Sequence, residues 1–217
     1  AQETSVARRL WAQAVGLGYR LDDLFMHTGC RGDRRRVLEL GIEAARSGGL
    51  QRDEAGLAHN LGLLAQSHGD YGEARRLYEL ALDIAQELDD HASVAVILHN
   101  LGVLAQRRED YAEARHFHEQ AAGAFERLDD RAGIARTLHQ LGNVAYSQGD
   151  YAEARRQYGA SLDIAEALGD RAGVATTTGQ MGMLAYLRGN VENARWLYKK
   201  SLALRRAIGD GKGIAAR

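Results

Sequence analysis

The tetrapeptide HNLG stands at residues 59–62 and again at 99–102, becomes HQLG at 139–142 and GQMG at 179–182, and each copy falls forty residues after the last. A fixed period of this size marks a chain built by stacking one small unit on itself. The match extends well beyond four residues. GDYGEARRLYELALDIAQEL from Gly69 is answered by EDYAEARHFHEQAAGAFERL from Glu109, GDYAEARRQYGASLDIAEAL from Gly149 and GNVENARWLYKKSLALRRAI from Gly189. A second segment of helical apolar period precedes each of them, as in RAGIARTLHQLGNVAYSQ from Arg131, so one unit is two helices joined by short turns.

The turns carry their own chemistry. Proline is absent, so glycine, aspartate and asparagine must set the helix ends. Asp70, Asp110 and Asp150 are placed to cap the second helix of each unit, and Glu73, Glu113 and Glu153 three residues later predict a reciprocal capping box. Asn190 keeps the cap while Asn193 replaces the glutamate. Gly69, Gly149 and Gly189 sit where the preceding helix needs a left-handed end, and LDD or LGD closing at Asp90, Asp130, Asp170 and Asp210 gives the next stop and restart. Helices of about 16 residues joined this tightly are antiparallel neighbours.

Inside the first helices, Gly62, Gly102, Gly142 and Gly182 each cost about 1 kcal/mol relative to alanine. Ala74, Ala114, Ala154 and Ala194 recur at a matching interval in the second helices, which predicts close approach of small residue to small residue. Larger groups then fill the remaining space: Leu61, Leu101, Leu141 and Met181 from the first helix, and Tyr78, Tyr158 and Tyr198 from the second, with His118 in the tyrosine position of the second copy.

A glycine at the eighth position, an alanine twelve later, an aromatic four beyond it and a small residue three further on (Ala81, Ala121, Ser161, Ser201) resemble the tetratricopeptide repeat family over residues of about 53 to 210. The resemblance implies an all-α, right-handed superhelical solenoid of antiparallel helix pairs. Three features depart from the family pattern: the unit is forty residues instead of about 34, Ala58, Leu98, Leu138 and Thr178 occupy the first aromatic position, and the closing proline is missing. Forty-residue units with this core are similar to those of kinesin light chains, of Pins-type polarity adaptors, and of actinobacterial signalling ATPases and antibiotic-pathway regulators. An arginine-rich, lysine-poor composition favours the last, bacterial group.

The expected organisation follows. Residues 1–50 form a divergent helix pair in which LELGIEAA from Leu38 aligns with YELALDIA from Tyr78, and Trp11 and Phe25 are expected to cover the open end of the stack. Repeats occupy 51–90, 91–130, 131–170 and 171–210. Residues 211–217, GKGIAAR, copy the start of another first helix, so the sequence reads as a piece of a longer chain whose end is a candidate for self-association.

Several function classes are disfavoured. Twenty-eight basic against 29 acidic residues give a formal charge of -1, with no footprint for nucleic acid or an anionic membrane. Cys30 is the single cysteine and reads as a half-buried thiol, which leaves no disulfide framework or multi-cysteine metal site. No apolar run of about 18 residues and no leader are present, so a cytoplasmic location is expected. Paired carboxylates, a Ser–His–Asp set and a loop-clustered phosphate glycine motif do not occur, and no enzyme activity and no cofactor is expected. The pairs Arg75, Arg76 and Arg155, Arg156 follow the capping glutamates as a solvated, charge-paired face.

With Leu61 and Gly62 turned to the second helix, helical spacing places Gly56, His59, Asn60, Leu63 and Gln66 on an inner wall. The equivalents are Val96, His99, Asn100, Val103 and Gln106; Arg136, His139, Gln140, Asn143 and Tyr146; and Thr176, Gly179, Gln180, Met183 and Tyr186. The amides of Asn60, Asn100, Gln140 and Gln180 offer donor and acceptor. At about 10 Å per repeat and about 3.3 Å per extended residue, one amide serves every third residue of a peptide, which is the role the resemblance to kinesin light chains implies. The alternative is that they bond to the neighbouring helix and hold the pitch. His59, His99 and His139 form a column that reads by default as solvated groove wall and alternatively as a site for an acidic group or a proton, while spacing of about 10 Å is too wide for imidazoles sharing one metal through bonds of about 2.0 Å. His116 and His118, two apart, face different ways. The lysines of the family's carboxylate clamp have no counterpart on this wall. The functional expectation is a scaffold that grips a protein or peptide segment in its concave groove, or alternatively the sensor or self-association arm of a multidomain signalling ATPase or transcriptional regulator.

Overall fold

The structure, a computed structural model, describes residues 2–28 and 31–209, so Cys30 and the 211–217 segment lie outside the described residues. The described residues form ten α-helices and no strand: α1 (Gln2–Thr28), α2 (Arg31–Gly48), α3 (Gln51–Ser67), α4 (Tyr71–Glu87), α5 (His91–Arg107), α6 (Tyr111–Arg127), α7 (Arg131–Ser147), α8 (Tyr151–Leu168), α9 (Arg171–Leu187) and α10 (Val191–Ala207). None is long and apolar enough to cross a membrane. The chain divides into two compact units, Ala1–Leu104 and Ala105–Arg217, with the division inside α5. In the first, α1 packs on α2, α2 on α3 and α3 on α4; in the second, α6 through α10 pack each on the next. Each unit is an all-α stack of helix pairs with a core of its own. Leu38, Leu57, Leu77 and Tyr78 are fully buried in the first, and Ala145, Ala154, Tyr158 and Leu184 cluster in the second.

The turns show why so short a link suffices. Asp70 accepts from the Glu73 amide at 3.2 Å, Asp110 from Glu113 at 3.0 Å and Asp150 from Glu153 at 2.9 Å. Asp90, Asp130, Asp170 and Asn190 do the same for α5, α7, α9 and α10. The residue before each cap is left-handed. Gly69, Gly149 and Gly189 meet this demand with φ of 80°, 80° and 77°, whereas Glu109, Asp89 and Asp129 meet it without glycine at 62°, 51° and 53°, a strained conformation for a side-chain-bearing residue.

The reciprocal half of the capping box does not form. The Asp70 and Asp150 amides donate instead to the Ala65 and Ala145 carbonyls at 3.0 and 2.9 Å, which leaves the glutamates without a backbone donor to seek. Glu73 takes two hydrogen bonds from Arg76, at 2.8 Å each. Glu153 takes two from Arg156 and one from Gln157, and those donors hold its carboxyl down to about 2. Arg75 pairs with Glu79 at 2.7 Å, so Arg75, Arg76 and Arg156 form charge pairs with carboxylates of their own helices, whereas Arg155 has no such partner among the described residues.

Gly62, Gly142 and Gly182 are not alanine partners. A Cβ placed on Gly62 would lie 2.7 Å from the Tyr78 ring, one on Gly142 2.5 Å from the Tyr158 ring, and one on Gly182 3.1 Å from the Tyr198 ring. The glycine is a notch that seats the tyrosine of the second helix, and the alanines are buried beside it. Residues forty before this trio explain the divergent first pair. Asp22 stands at the glycine position, Arg34 at that of Ala74 and Leu38 at that of Tyr78; with no ring to seat, Asp22 instead takes a 2.6 Å hydrogen bond from Arg34 Nε. Trp11 lies against Gly48 at the end of α2, where an added Cβ would come within 2.8 Å of it. It does not close the outer face: Leu10, Leu17 and Leu24, seven residues apart on α1, remain 60%, 55% and 52% exposed.

Gly142→Ala tests the notch. Alanine alone favours a helix by about 1 kcal/mol, but overpacking the buried ring costs about 1–3 kcal/mol, so the urea midpoint should fall. The same change on a Tyr158→Leu background should be neutral or stabilising. A stabilised Gly142→Ala protein would contradict the seat.

Candidate interaction surface

The wall residues lie where helical spacing puts them, on the partly open side of the first helices. In the first unit His59, Asn60, Gln66, His99, Asn100 and Val103 are half-buried and Leu63 is exposed; in the second Gln106, His139, Gln140, Asn143, Tyr146, Gln180 and Met183 are half-buried while Arg136 and Tyr186 are exposed. Gly179 is buried. The four amides each commit one end inside the fold. Asn60 Nδ2 donates to Asp22 Oδ2 at 3.2 Å, Asn100 Nδ2 meets His59 Nε2 at 2.6 Å, Gln140 Oε1 accepts from Asn143 Nδ2 at 2.7 Å, and Gln180 Nε2 reaches Asn143 Oδ1 at 3.5 Å.

Other wall polar groups are latches for the second helices. Tyr78 donates to Gln66 Oε1 at 2.7 Å and Tyr158 to Asn143 Oδ1 at 2.6 Å, while His118 Nε2, fully buried, lies 3.1 Å from Gln106 Oε1. Gln106 also donates to the Gln140 carbonyl at 3.4 Å, and Tyr146 reaches the Met183 sulfur at 3.0 Å. These contacts orient the ring that each notch seats, so packing and wall polarity are one network.

Two of the wall histidines, His59 and His139, are held neutral. His59 sits with its ring 5.8 Å from that of Tyr78, and His139 5.4 Å from that of Tyr158, with Nδ1 3.1 Å from Thr177 Oγ1. Burial lowers the His59 imidazole from its ordinary value and pushes His139 down to about 4. Neither carries a positive charge at neutral pH, so His59 in the first unit and His139 in the second each present a neutral donor or acceptor. Sequence reasoning missed Asp22, Tyr19 and Thr177. Tyr19 extends the histidine column one unit back, and its hydroxyl donates to the Asp53 carbonyl at 3.3 Å. Carrying the forty-residue register into α1 would have exposed both Tyr19 and Asp22; Thr177 has no periodic signal.

Paired helices that present a register of half-engaged amides define a helical-repeat scaffold. The chain belongs to the tetratricopeptide repeat family, whose model matches residues 53–127 and 133–207, and a stack of this family is a protein-interaction scaffold. No curated protein matches it. Among solved structures it is similar to BtubC (BKLC) from P. vanneervenii, at 21% identity and TM-score 0.67 over 95% of this chain and 92% of that one. It is similar to a putative kinesin light chain with TPR-like repeats from Podosopora anserina, at 15% and 0.71 over 94% and 98%. Aspartyl phosphate phosphatase F from Bacillus subtilis gives 13% and 0.84 over 94% of this chain; the match spans 54% of that protein. At these identities the likeness is one of fold.

The imidazoles predict a pH dependence. Between 6.5, the ordinary value, and about 4 for His139, the unfolded chain binds a proton that the folded chain excludes, so stability is complete above this window and falls as pH drops through it. Urea denaturation from pH 7 to 4.5 should cost the wild type on the order of 2 kcal/mol more than His139→Gln; parallel losses would show that the imidazole ionises freely.

Proposed function

We propose that the first-helix wall of each unit binds an extended segment of a partner protein through backbone hydrogen bonds, with no chemistry of its own. The observation that carries this reading is the half-engagement of the amides. One end of Asn60, Asn100, Gln140 and Gln180 is tied within the fold, which fixes the amide plane, while Asn60 Oδ1, Asn100 Oδ1, Gln140 Nε2 and Gln180 Oε1 have no hydrogen-bond partner among the described residues. A fixed amide with one open end loses little conformational entropy on binding, so more of the contact energy survives as affinity. Pitch-holding and ligand-holding, alternatives in the sequence, are then two ends of one side chain. Leu63 and Val96 in the first unit and Tyr186 in the second add exposed apolar contacts, and the neutral histidines favour backbone over acidic side chains as the recognised feature. A protein of this fold, the Rap protein, has been solved in complex with Competence and Sporulation Factor; this chain resembles it at 14% identity and TM-score 0.70.

The test is capture from source-cell lysate by the wild type and by the Asn60→Ala, Asn100→Ala, Gln140→Ala triple variant, with circular dichroism on both. Partner recovery should drop at least ten-fold while helix content stays equal; equal recovery would overturn the wall as the binding surface, and loss of helix would assign the amides to folding.

A further inference from the structure

Arg155 keeps its place in the forty-residue register but loses the groups that meet its equivalents. One unit earlier, Arg115 donates to Gln148 Oε1 at 2.9 Å. It also acts on Glu153, whose carboxyl is drawn down by Arg156 and Gln157 first and by Arg115 as well. Arg35 stands in the same relation to Glu73, which is lowered first by Arg76 and then by Arg35. A cation of one unit is thus answered by the first-turn carboxylate of the next. Around Arg155 the register replaces Gln148 by Arg188, Glu153 by Asn193 and the capping Asp150 by Asn190. Arg75 has a further partner in Glu79, four residues on; at that distance Arg155 has Gly159. Arg155 and Arg188 are both exposed, and neither has a hydrogen-bond or ion-pair partner among the described residues.

The same replacements leave room. A cavity of about 460 Å³ among α8, α9 and α10 is lined by Arg155, Arg188, Asn190 and Asn193, with Met181, Leu184 and Leu197 as its apolar part. Leu197 stands where Gln157 holds Glu153 at 2.7 Å one unit earlier, so the support of the carboxylate has gone together with the carboxylate. The two arginines also edge an adjoining hollow over Gly159 and Ala160; Asp163 lines that hollow without an ion pair among the described residues. The partners of Arg115 come from α7 and α8. Their equivalents are α9 and α10, so the loss of negative charge is written into helices that already enclose the cavity.

We propose that this cavity takes the carboxylate of an acidic residue on a partner protein, held by the Arg155 and Arg188 guanidiniums and the Asn193 amide, with a neighbouring apolar side chain on Met181, Leu184 and Leu197. The incoming carboxylate takes the role that Glu153 has for Arg115 in the unit before. Guanidinium forks match the two oxygens of a carboxylate. Two cations beside an apolar lining suit a protein segment better than a nucleic-acid backbone, which asks for many phosphate contacts and little apolar surface. No residue of the proposed wall lines the cavity, so this is a second binding surface of the scaffold and stands apart from the first.

The probe is a labelled peptide, GSLEELSG, measured by fluorescence anisotropy against the full chain beside its GSLQQLSG counterpart. The Glu peptide should bind about ten-fold tighter than the Gln peptide, as charge-assisted hydrogen bonds do, and should weaken as salt rises. R155Q/R188Q should abolish the preference. Asn193→Glu restores the carboxylate that earlier units carry, so it should fill the site from within and remove most of the preference. Gln120→Glu, which adds the same charge on α6 outside the cavity, should bind like the wild type. The Asn60, Asn100, Gln140 triple alanine variant should do so too, which separates this site from the wall. Arg155, Arg188, Asn193 and Gln120 are exposed, so circular dichroism should report an unchanged fold for their variants. Equal binding of the two peptides, binding of neither, a preference that survives R155Q/R188Q, or an Asn193→Glu protein that binds like the wild type would each overturn the proposal. Displacement of the Glu peptide by equimolar inorganic phosphate, by a single-stranded oligonucleotide or by phosphatidylserine vesicles would overturn the assignment to a carboxylate.

Discussion

The seat of a tyrosine ring in a glycine notch is the contact on which both stacks depend. Without a Cβ at Gly62 or Gly142 the ring of Tyr78 or Tyr158 reaches the helix backbone itself, and the second helix approaches to a distance that its short turn can span. The hydroxyl at the far end of that ring is then the pivot of the polar layer, donating to Gln66 or Asn143. A ring this large contributes a large buried area with one polar handle that must be paired. Its pairing partner is therefore part of packing, although it sits on the open wall.

That coupling explains how a wall half open to water is nonetheless ordered. Gln66, Gln106 and Asn143 spend their oxygens on the second helices, Asn60, Asn100 and Gln180 spend one end on the preceding helix pair, and Gln140 spends one on Asn143 of its own helix. Burial beside the tyrosines keeps His59 and His139 uncharged, so the layer contains no buried ion that needs compensation. The first pair is the exception that follows the rule: it replaces notch, alanine and ring by Asp22, Arg34 and Leu38, an ion pair with its own geometry, and Asp22 still hands an acceptor to Asn60.

The units are alike in backbone and unlike in surface. Outward positions of α4 and α8 carry bidentate Glu–Arg pairs. α10 has Asn193 and Trp196 there, with Lys200 5.8 Å over the indole, and Trp196 is 59% exposed.

Periodicity in the sequence determined the helix pairs, their turns and the set of residues on the wall, because a forty-residue register repeats whatever local chemistry each position needs: aspartate to cap, glycine or a tolerated aspartate to turn left-handed, apolar groups at helical spacing. It also marked Gly62 and its copies as close contacts. Which residue fills that contact was decided only by the fold, since a tyrosine sixteen residues away and an alanine twelve away are equally periodic, and the distance between ring and Cα exists only once two helices have packed. The same holds for Glu73 and Glu153, whose second partner depends on whether the cap amide has already been taken by the preceding helix. It holds as well for the amides, because the end of Asn60 that faces Asp22 and the end that faces water are chemically one group in the sequence and two in three dimensions.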